Sequence, residues 1–232
     1  MHKFLFDIDG TLTPSRTKID DQFSAWLEHF ATHSACYWVT GSPKYMTERQ
    51  LGGVYDLAIR AYQCSGTDVW EQNNNIRRSD WKLPDLARSF LMQTFSEETF
   101  DQKCDPSVCI HERPGMVNYS VIGPCDDMDQ RESFIKWEHL ANSRSKTADA
   151  FNTMFPELQA TIGGETGIDI GPIGSNKSQI LVDFDISQVV FFGDKTEEGG
   201  NDYEIAEAVK AAGGKVHAVN GWEETWKILK EL

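Results

Sequence analysis

Two aspartates near the amino terminus have a type and spacing that suit group transfer. Asp7 and Asp9 follow a short apolar run directly and precede Gly10 and Thr11. At the carboxyl end of a buried strand, where doubly wound sheets bind ligands, one carboxylate can act as a nucleophile beside a cation and the other as a general acid and base. Gly10 allows the chain to turn sharply, and Thr11 offers a hydroxyl and a backbone N–H to a phosphate. Surface pairs of aspartates at this spacing are common, but the complete run from Asp7 to Thr13 is far more specific.

A second acidic pair lies near the other end of the chain. Asp194 follows another apolar run, and Asp202 lies on the far side of a glycine-rich turn. An acid at the end of a neighbouring strand could complete an oxygen-ligand set for Mg²⁺ with Asp7, because Mg²⁺ takes hard oxygen ligands and keeps several waters. Asp202 could be a ligand, a carboxylate behind the ligands, or simply the N-cap of the helix that follows.

Two further positions could bind a phosphate. Thr40 ends a second apolar run and precedes Gly41 and Ser42, so that a hydroxyl and loop N–H groups could hold phosphate oxygens. An ordinary strand-to-helix turn would have the same composition. Lys177 opens a short helical segment before the Asp194 strand, and its ammonium could neutralise both a phosphate and the aspartates, although most lysines are surface charges.

The elements that would position these side chains alternate between strand and helix at both ends of the chain. Strands are predicted at 3–8, 35–40, 57–62, 188–192 and 215–219. Helices are predicted at 20–33, 44–51, 177–182, 202–212 and 222–232. Such alternation is typical of a parallel sheet covered by helices.

The middle of the chain has a different pattern. It predicts a helix at 83–95, a hairpin of 108–113 with 116–122, helical structure over 132–155 in one or two pieces, and a hairpin of 159–162 with 166–170. We therefore predict an α/β core domain with a parallel sheet, formed by residues 1–79 and 176–232. An α+β domain with an antiparallel sheet, residues 80–175, is inserted into it.

Composition and charge exclude several classes of partner. Lys and Arg total 22 against 36 Asp and Glu, a formal net charge of −14. This acidity argues against nucleic acid and against an anionic membrane surface. No apolar run approaches the roughly 20 residues of a membrane span, and five cysteines without a CxxC pair fit a reduced, cytoplasmic protein. An anionic small molecule would need a local cluster of cations or a metal ion.

Four motifs, in this order, resemble those of the haloacid dehalogenase (HAD) superfamily: DIDGT after a strand, Thr-Gly after a strand, a lysine, and GD…ND after a strand. The inserted domain lies between the second and third motifs, where the type-II caps of the superfamily lie. The segments 6–16, 113–123, 163–177 and 191–205 further resemble the eukaryotic-type phosphomannomutases, and FFGDKTEEGGND is the most specific of these matches. The resemblance spans nearly the whole chain and implies a HAD-like Rossmannoid core.

The resemblance implies a role for each acidic residue of the motifs. Asp7 would form an aspartyl-phosphate, and Asp9 would protonate the leaving group and deprotonate the acceptor. Mg²⁺ would be held by Asp7, the backbone carbonyl of Asp9 and Asp194, with Asp202 as a further candidate.

Residues of the second and third motifs and of the cap would bind the substrate. Thr40 and Lys177 fall at the second and third motifs and are expected to assist catalysis. The residues expected to bind a phosphosugar are Arg16, Gly41, Ser42, Arg113 and Asp169.

Four departures from the family pattern leave the reaction open. Pro124 replaces a cap arginine, a second cap arginine aligns near Gln102 or Lys103, Gly167 replaces a serine, and Asn176 replaces an aspartate. A mutase must grip a phosphate at both ends of a bisphosphate intermediate, and lysine is a poorer bidentate clamp than arginine. The chain could therefore interconvert mannose 1-phosphate and mannose 6-phosphate, or it could be a sugar-phosphate phosphatase in which water is the acceptor.

A third reading is a degenerate HAD domain that only binds a phosphosugar. It predicts loss of Asp7, Asp9, Lys177 or Asp194, yet all four are present. The family is often dimeric through the cap, so the resemblance also implies a homodimer. The apolar stripe of Phe134, Trp137, Leu140 and Ala141 would be core or subunit interface.

Overall fold

The computed structural model describes residues 2–232. The chain divides into two compact units. The core unit runs to Ser79 and resumes at Asn176, and the inserted unit is Asp80–Ser175. Among residues 2–232, no helix combines the length and apolar character that a membrane crossing requires.

The secondary structure follows the predicted order closely. The strands are β1 (Lys3–Phe6), β2 (Ala35–Val39), β3 (Arg60–Gln63), β4 (Asp68–Glu71), β5 (Asn74–Arg78), β6 (Ile110–Arg113), β7 (Met116–Tyr119), β8 (Leu158–Gly163), β9 (Gly167–Pro172), β10 (Val189–Gly193) and β11 (Lys215–Ala218). The helices are α1 (Asp21–His33), α2 (Lys44–Leu51), α3 (Asp85–Glu97), α4 (Met128–Ala141), α5 (Ser143–Met154), α6 (Tyr203–Ala211) and α7 (Trp222–Leu229). Lys177–Asp183 forms a 3-10 segment, where a short helix was expected.

The core unit contains one sheet in the order β11-β10-β1-β2-β3-β4-β5. The first five strands of this order pair in parallel, whereas β3, β4 and β5 pair antiparallel. The expected α/β core with a parallel sheet is therefore confirmed, and the hairpin of β4 and β5 extends this mostly parallel sheet by two antiparallel strands. All five residues of β5 are exposed, so this strand lacks the apolar alternation by which a strand is recognised in a sequence.

The parallel strands are buried on both faces, which explains their continuous apolar sequences. Phe6 of β1 stacks on Phe192 of β10 with ring centroids 5.0 Å apart, and both pack with Phe23 of α1. On the other face, Phe191 packs with Ile205 of α6. Alternate side chains of each strand thus anchor helices on opposite sides of the sheet, and the strand ends are fixed against one another.

The inserted unit contains a four-stranded antiparallel sheet in the order β6-β7-β9-β8. Its core includes Leu91 of α3, Phe151 of α5 and Ile168 of β9. The predicted 132–155 helical stretch is two helices, separated at Asn142 by a left-handed conformation (φ 50°).

The buried face of α4 differs from the expected stripe. Leu140 is 88% exposed, and the buried positions of the helix are Arg131, Phe134 and Glu138. Phe134 of the expected stripe lies in the core and Trp137 packs beside it, whereas Leu140 is exposed, so only part of the stripe is core.

The β4–β5 hairpin depends on one buried carboxylate. Asp68, with a side chain only 3% exposed, accepts hydrogen bonds from Trp70 Nε1 (2.9 Å), Asn75 Nδ2 (2.7 Å) and Arg78 Nε (2.9 Å). We expect Asp68→Ala to lower the free energy of unfolding by about 1–3 kcal/mol in a urea titration, because it leaves these donors without their acceptor. Glu71→Ala in the same hairpin removes an exposed ion pair and should cost less than about 1 kcal/mol. Equal losses in the two variants would contradict this account.

Candidate active site

Asp7 lies at the carboxyl end of β1, between the ends of β10 and β2. Its backbone N–H donates to the carbonyl of Phe192 (2.9 Å), which continues the pairing of β1 with β10 beyond the last strand residue. The Asp7 side chain is buried, and its Oδ1 is 2.5 Å from Nζ of Lys177, which is equally buried. The nucleophile candidate and the third-motif lysine thus form a buried ion pair.

Three carboxylates gather around this ion pair. One oxygen from each of Asp7, Asp194 and Asp202 lies within 4.8 Å of the others. Lys177 Nζ is also 2.6 Å from Asp202 Oδ1, so a single ammonium faces three carboxylates. A donor set of carboxylate oxygens with excess negative charge fits a hard divalent cation such as Mg²⁺.

The sequence leaves three roles open for Asp202, and its contacts exclude one of them. It occupies the N-cap position of α6, but its side chain makes no capping hydrogen bond. Its carboxylate instead accepts from Lys177 Nζ and, at 3.3 Å, from the backbone N–H of Lys195. Asp202 is therefore a member of the buried cluster and not a simple helix cap.

Burial and mutual repulsion shift the ionisation of the cluster. Burial raises the pKa of Asp7 well above its ordinary value, the Lys177 ammonium opposes this rise, and Asp202 and Asp194 reinforce it. Burial and the charge of Asp202 raise the pKa of Asp194 to about 6. Burial disfavours the Lys177 charge, yet the carboxylates of Asp202 and Asp7 raise its pKa above the usual value. The cluster is thus short of positive charge.

Two glycines allow the carboxylates to approach the strands so closely. Gly10 has φ 81°, and a Cβ there would collide with the Asp194 carboxylate. A Cβ at Gly193 would be 2.6 Å from Asp202 Oδ2. Gly10 therefore provides both a turn and space for an acid, whereas Gly193 provides space for an acid.

The Asp9 side chain lies outside the carboxylate cluster. Its Oδ1 accepts from the backbone N–H of Arg16 (2.7 Å) and from Gln50 Nε2 (2.9 Å). Any contact of Asp9 with a metal would thus fall to its backbone carbonyl. Gln50 was not singled out from the sequence, because a lone amide near a helix end carries no recognisable signal there.

The second-motif loop follows β2 at the same sheet edge. Thr40 and Ser42 are buried, and the Thr40 hydroxyl accepts from the Ser42 N–H (3.1 Å). The loop is held by the turn that follows β3, because Ser65 N–H donates to the Thr40 carbonyl (2.8 Å) and Cys64 N–H to the Ser42 carbonyl (3.1 Å). Cys64 and Ser65 have φ 51° and 57°, a conformation that is uncommon for such residues. Gly41 lies between the two buried hydroxyl residues.

Asn176, which departs from the family pattern, has a structural role. Its Oδ1 accepts from the Ser178 N–H (2.9 Å) and hydroxyl (2.6 Å), so it caps the 3-10 segment that Lys177 begins. Asparagine caps as well as aspartate does. The substitution therefore preserves the element that positions Lys177.

In the inserted unit, the structure brings Arg113 and Asp169 together. Arg113, 7% exposed, has Nη1 3.7 Å from Asp169 Oδ1, and the same oxygen accepts from Asn118 Nδ2 (2.7 Å). A Cβ at Gly167 would collide with the Asn118 amide. Asn118, which sequence reasoning missed, thus occupies the space that the family's serine would need.

The replacements expected for the missing cap arginines offer little to a distal phosphate. Lys103 Nζ donates to the carbonyls of Phe95 and Glu98, each at 3.0 Å, and so caps the end of α3. The expectation that Lys103 substitutes for an arginine is therefore unsupported by its contacts. Pro124 is exposed and has no cationic group.

Two arginines of the inserted unit, the buried Arg131 and the partly buried Arg144, were also missed. Arg131 Nη2 donates to Glu165 (2.7 Å), and Arg144 Nη1 donates to the Gly164 carbonyl (3.2 Å). Both therefore meet the turn between β8 and β9. Arg131 could have been found as a charged residue in helical register with Phe134 on α4.

The architecture is that of HAD enzymes. A solved HAD subclass IIB sugar phosphatase is 16% identical and superposes with a TM-score of 0.59, covering 100% of this chain and 98% of that one. At this identity, the likeness concerns the fold.

Comparison of the sequence with known proteins identifies the family. The family model "Eukaryotic phosphomannomutase" matches residues 59–232. The phosphomannomutase of Saccharomyces cerevisiae is 31% identical over 241 residues, which cover 98% of this chain and 92% of that protein. The phosphomannomutase of Arabidopsis thaliana is also 31% identical, and the match covers 98% of this chain and 95% of that protein. The chain belongs to the eukaryotic phosphomannomutase family and is a HAD-type phosphotransferase or phosphatase.

The charge imbalance predicts an effect on stability. The pKa of Asp194 rises from 3.8 to about 6 on folding, so the folded state binds its proton more tightly than the unfolded chain does. Stability from this group is therefore lost as pH rises from about 4 to about 6. With a metal chelator present, Asp194→Asn should raise the free energy of unfolding at pH 7 by about 1–2 kcal/mol, allowing for solvent screening.

The control is Glu197→Gln, which neutralises an exposed carboxylate of the following turn. Thermal and urea unfolding of both variants should show a gain for Asp194→Asn only, and the gain should vanish near pH 4. A destabilised Asp194→Asn variant at pH 7 would contradict the electrostatic account.

Proposed function

We propose that this protein moves a phosphoryl group of a hexose phosphate through an aspartyl-phosphate on Asp7, with Mg²⁺, and interconverts mannose 1-phosphate and mannose 6-phosphate. The observation that supports this proposal most directly is the buried Asp7–Lys177 pair inside the three-carboxylate cluster. The names of the similar phosphomannomutases supply the substrate class.

In the first half-reaction, a carboxylate oxygen of Asp7 forms a bond to one phosphorus of the substrate, which in the mutase cycle is a hexose bisphosphate. The bond from phosphorus to the sugar oxygen breaks, and that oxygen takes a proton from Asp9. Lys177 holds the Asp7 carboxylate in place and offsets the charge that gathers around the transferring group. General acid help of this kind contributes about 10²–10⁴ in rate.

The second half-reaction reverses these roles. A hydroxyl of a hexose monophosphate gives its proton to Asp9 and attacks phosphorus, the electron pair of the breaking bond returns to Asp7, and a hexose bisphosphate forms again. Thr40, Gly41 and Ser42, in the loop beside β1, hold the phosphate oxygens through their N–H and hydroxyl groups.

Asp7, Asp194 and the backbone carbonyl of Asp9 would hold Mg²⁺. When bound, Mg²⁺ neutralises charge on the transferring phosphoryl group. Asp202 has a different task in this scheme, since its carboxylate fixes Lys177. The raised pKa of Asp7 supports the need for a cation, because a nucleophilic carboxylate must be ionised.

The remaining predicted residues bind the rest of the phosphosugar. Arg113 presents a buried guanidinium beside Asp169, a pairing suited to a phosphate and a sugar hydroxyl respectively. Arg16, which follows the first motif, is proposed to bind substrate in the core unit. A cytoplasmic location and a homodimer through the inserted unit complete the proposal.

A sugar-phosphate phosphatase is the second candidate. The observation that favours it is that Lys103 is committed to the end of α3 and Pro124 carries no charge. A weak hold on the distal phosphate would let the sugar leave, and water would then attack the phosphorylated Asp7.

The nucleophile is tested by Asp7→Asn, which keeps the shape of the side chain but removes the attacking carboxylate. We expect turnover of mannose 1-phosphate to fall by at least about 10³-fold. Asp21→Asn, at an exposed position of α1, should leave it unchanged. Substantial turnover by a folded Asp7→Asn variant would exclude the aspartyl-phosphate route.

Product analysis separates the two candidates. The protein is incubated with Mg²⁺ and mannose 1-phosphate, with and without a hexose bisphosphate, and mannose 6-phosphate and free phosphate are measured together. The mutase predicts isomer that depends on the bisphosphate, with little free phosphate. Release of phosphate without isomer would exclude the mutase and support the phosphatase.

A further inference from the structure

We propose that Gln50 is the positioning residue for Asp9, and that it assigns the transferable proton of Asp9 to Oδ2. The inference rests on the proposed function, in which Asp9 is the general acid and base, and adds a residue that no motif identifies. Gln50 is near the end of α2 and is 3% exposed.

The Gln50 amide joins two groups of the first motif. Its Nε2 donates to Asp9 Oδ1 at 2.9 Å and to Thr13 Oγ1 at 3.1 Å. Thr13 is also fully buried, and its hydroxyl points to the Ile8 carbonyl at 3.5 Å. Because the Thr13 hydroxyl donates its proton to the Ile8 carbonyl, it can only accept a hydrogen bond from Gln50.

The orientation of the amide is therefore determined by its partners. Reversing it would place Oε1 against Asp9 Oδ1, with two acceptors facing each other. In the observed orientation, Oε1 is buried and has no hydrogen-bond partner.

A second donor reaches the same carboxylate oxygen. The backbone N–H of Arg16 donates to Asp9 Oδ1 at 2.7 Å, and Arg16 has the unusual φ of 62° that accompanies this turn. With two N–H groups aimed at Oδ1, a proton on that oxygen would face two donors. The acid proton of Asp9 therefore resides on Oδ2, the oxygen left for the substrate.

This arrangement predicts a dependence on the leaving group. A sugar alkoxide needs a proton as it departs, whereas nitrophenolate leaves readily without one. Substituting a residue that acts through Asp9 should slow release of the sugar strongly and release of nitrophenolate hardly at all. A residue that only supports the fold should affect both alike, because both substrates need Asp7 and Lys177.

The test is single-turnover release of mannose from mannose 6-phosphate and of nitrophenolate from 4-nitrophenyl phosphate, with Mg²⁺ present. Gln50→Met keeps the length of the side chain without the donor. We expect release of mannose to slow by about 100-fold and release of nitrophenolate to change by less than about threefold. Gln50→Glu places an oxygen where Nε2 was and should show the same selectivity. If Gln50→Met does not fold, Gln50→Glu is the variant on which the test is decided.

Gln63→Met is the matched control. Gln63 is another buried amide of the core unit, bonded to Thr47 and Tyr55 and not to Asp9. It should change both rates by the same factor. Combining Gln50→Met with Asp9→Asn should slow mannose release by no more than about twofold beyond Asp9→Asn alone, since coupled residues are not additive.

The outcomes separate this inference from the proposed function. If Asp9→Asn itself shows no selectivity for the leaving group, the acid role of Asp9 fails. If Asp9→Asn is selective but the Gln50 variants reduce both rates equally, or reduce neither, only the role of Gln50 is overturned.

Discussion

One buried ammonium, Lys177, faces three carboxylates that the fold packs around it, and the rest of the site depends on this arrangement. Burying a charge is unfavourable unless an opposite charge or a hydrogen bond compensates it. Lys177 contacts Asp7 and Asp202 within 2.6 Å, while Asp194 has no comparable bond to it. Burial, together with the charge of Asp202, raises the pKa of Asp194, and the carboxylates provide oxygen ligands of the kind that a divalent cation needs.

The parallel sheet creates this arrangement by bringing distant parts of the chain to one edge. Asp7 and Asp194 follow β1 and β10, which pair in register from Lys3 with Val189 to Phe6 with Phe192. Gly10 and Gly193 then remove the side chains that would hold the acids apart. The net charge of −14 makes the protein repel anions overall. A phosphate could therefore bind only where a cation and loop N–H groups are concentrated.

Most of the core fold and of the candidate site could be predicted from the sequence, because the informative residues directly follow the ends of buried strands. Buried apolar runs located β1, β2 and β10, and hence Asp7, Thr40 and Asp194. The hairpin of β4 and β5 was missed because Asn74–Arg78 is exposed at every residue. Gln50 and Asn118 were missed for another reason: a polar side chain becomes informative only when its partner is known, and Asp9 and Asp169 lie far away in sequence.

The structure of the inserted unit explains two departures from the family pattern. Asn118 fills the space beside Gly167, and Lys103 caps α3. In the proposed scheme they concern how the sugar phosphate is held, whereas the phosphoryl transfer depends on Asp7. The most direct measurement is peptide mapping by mass spectrometry after brief mixing with a hexose bisphosphate and Mg²⁺. The account predicts one phosphoryl group on Asp7 that hydroxylamine removes. A phosphoryl group on another residue, or none on a protein that turns over its substrate, would contradict it.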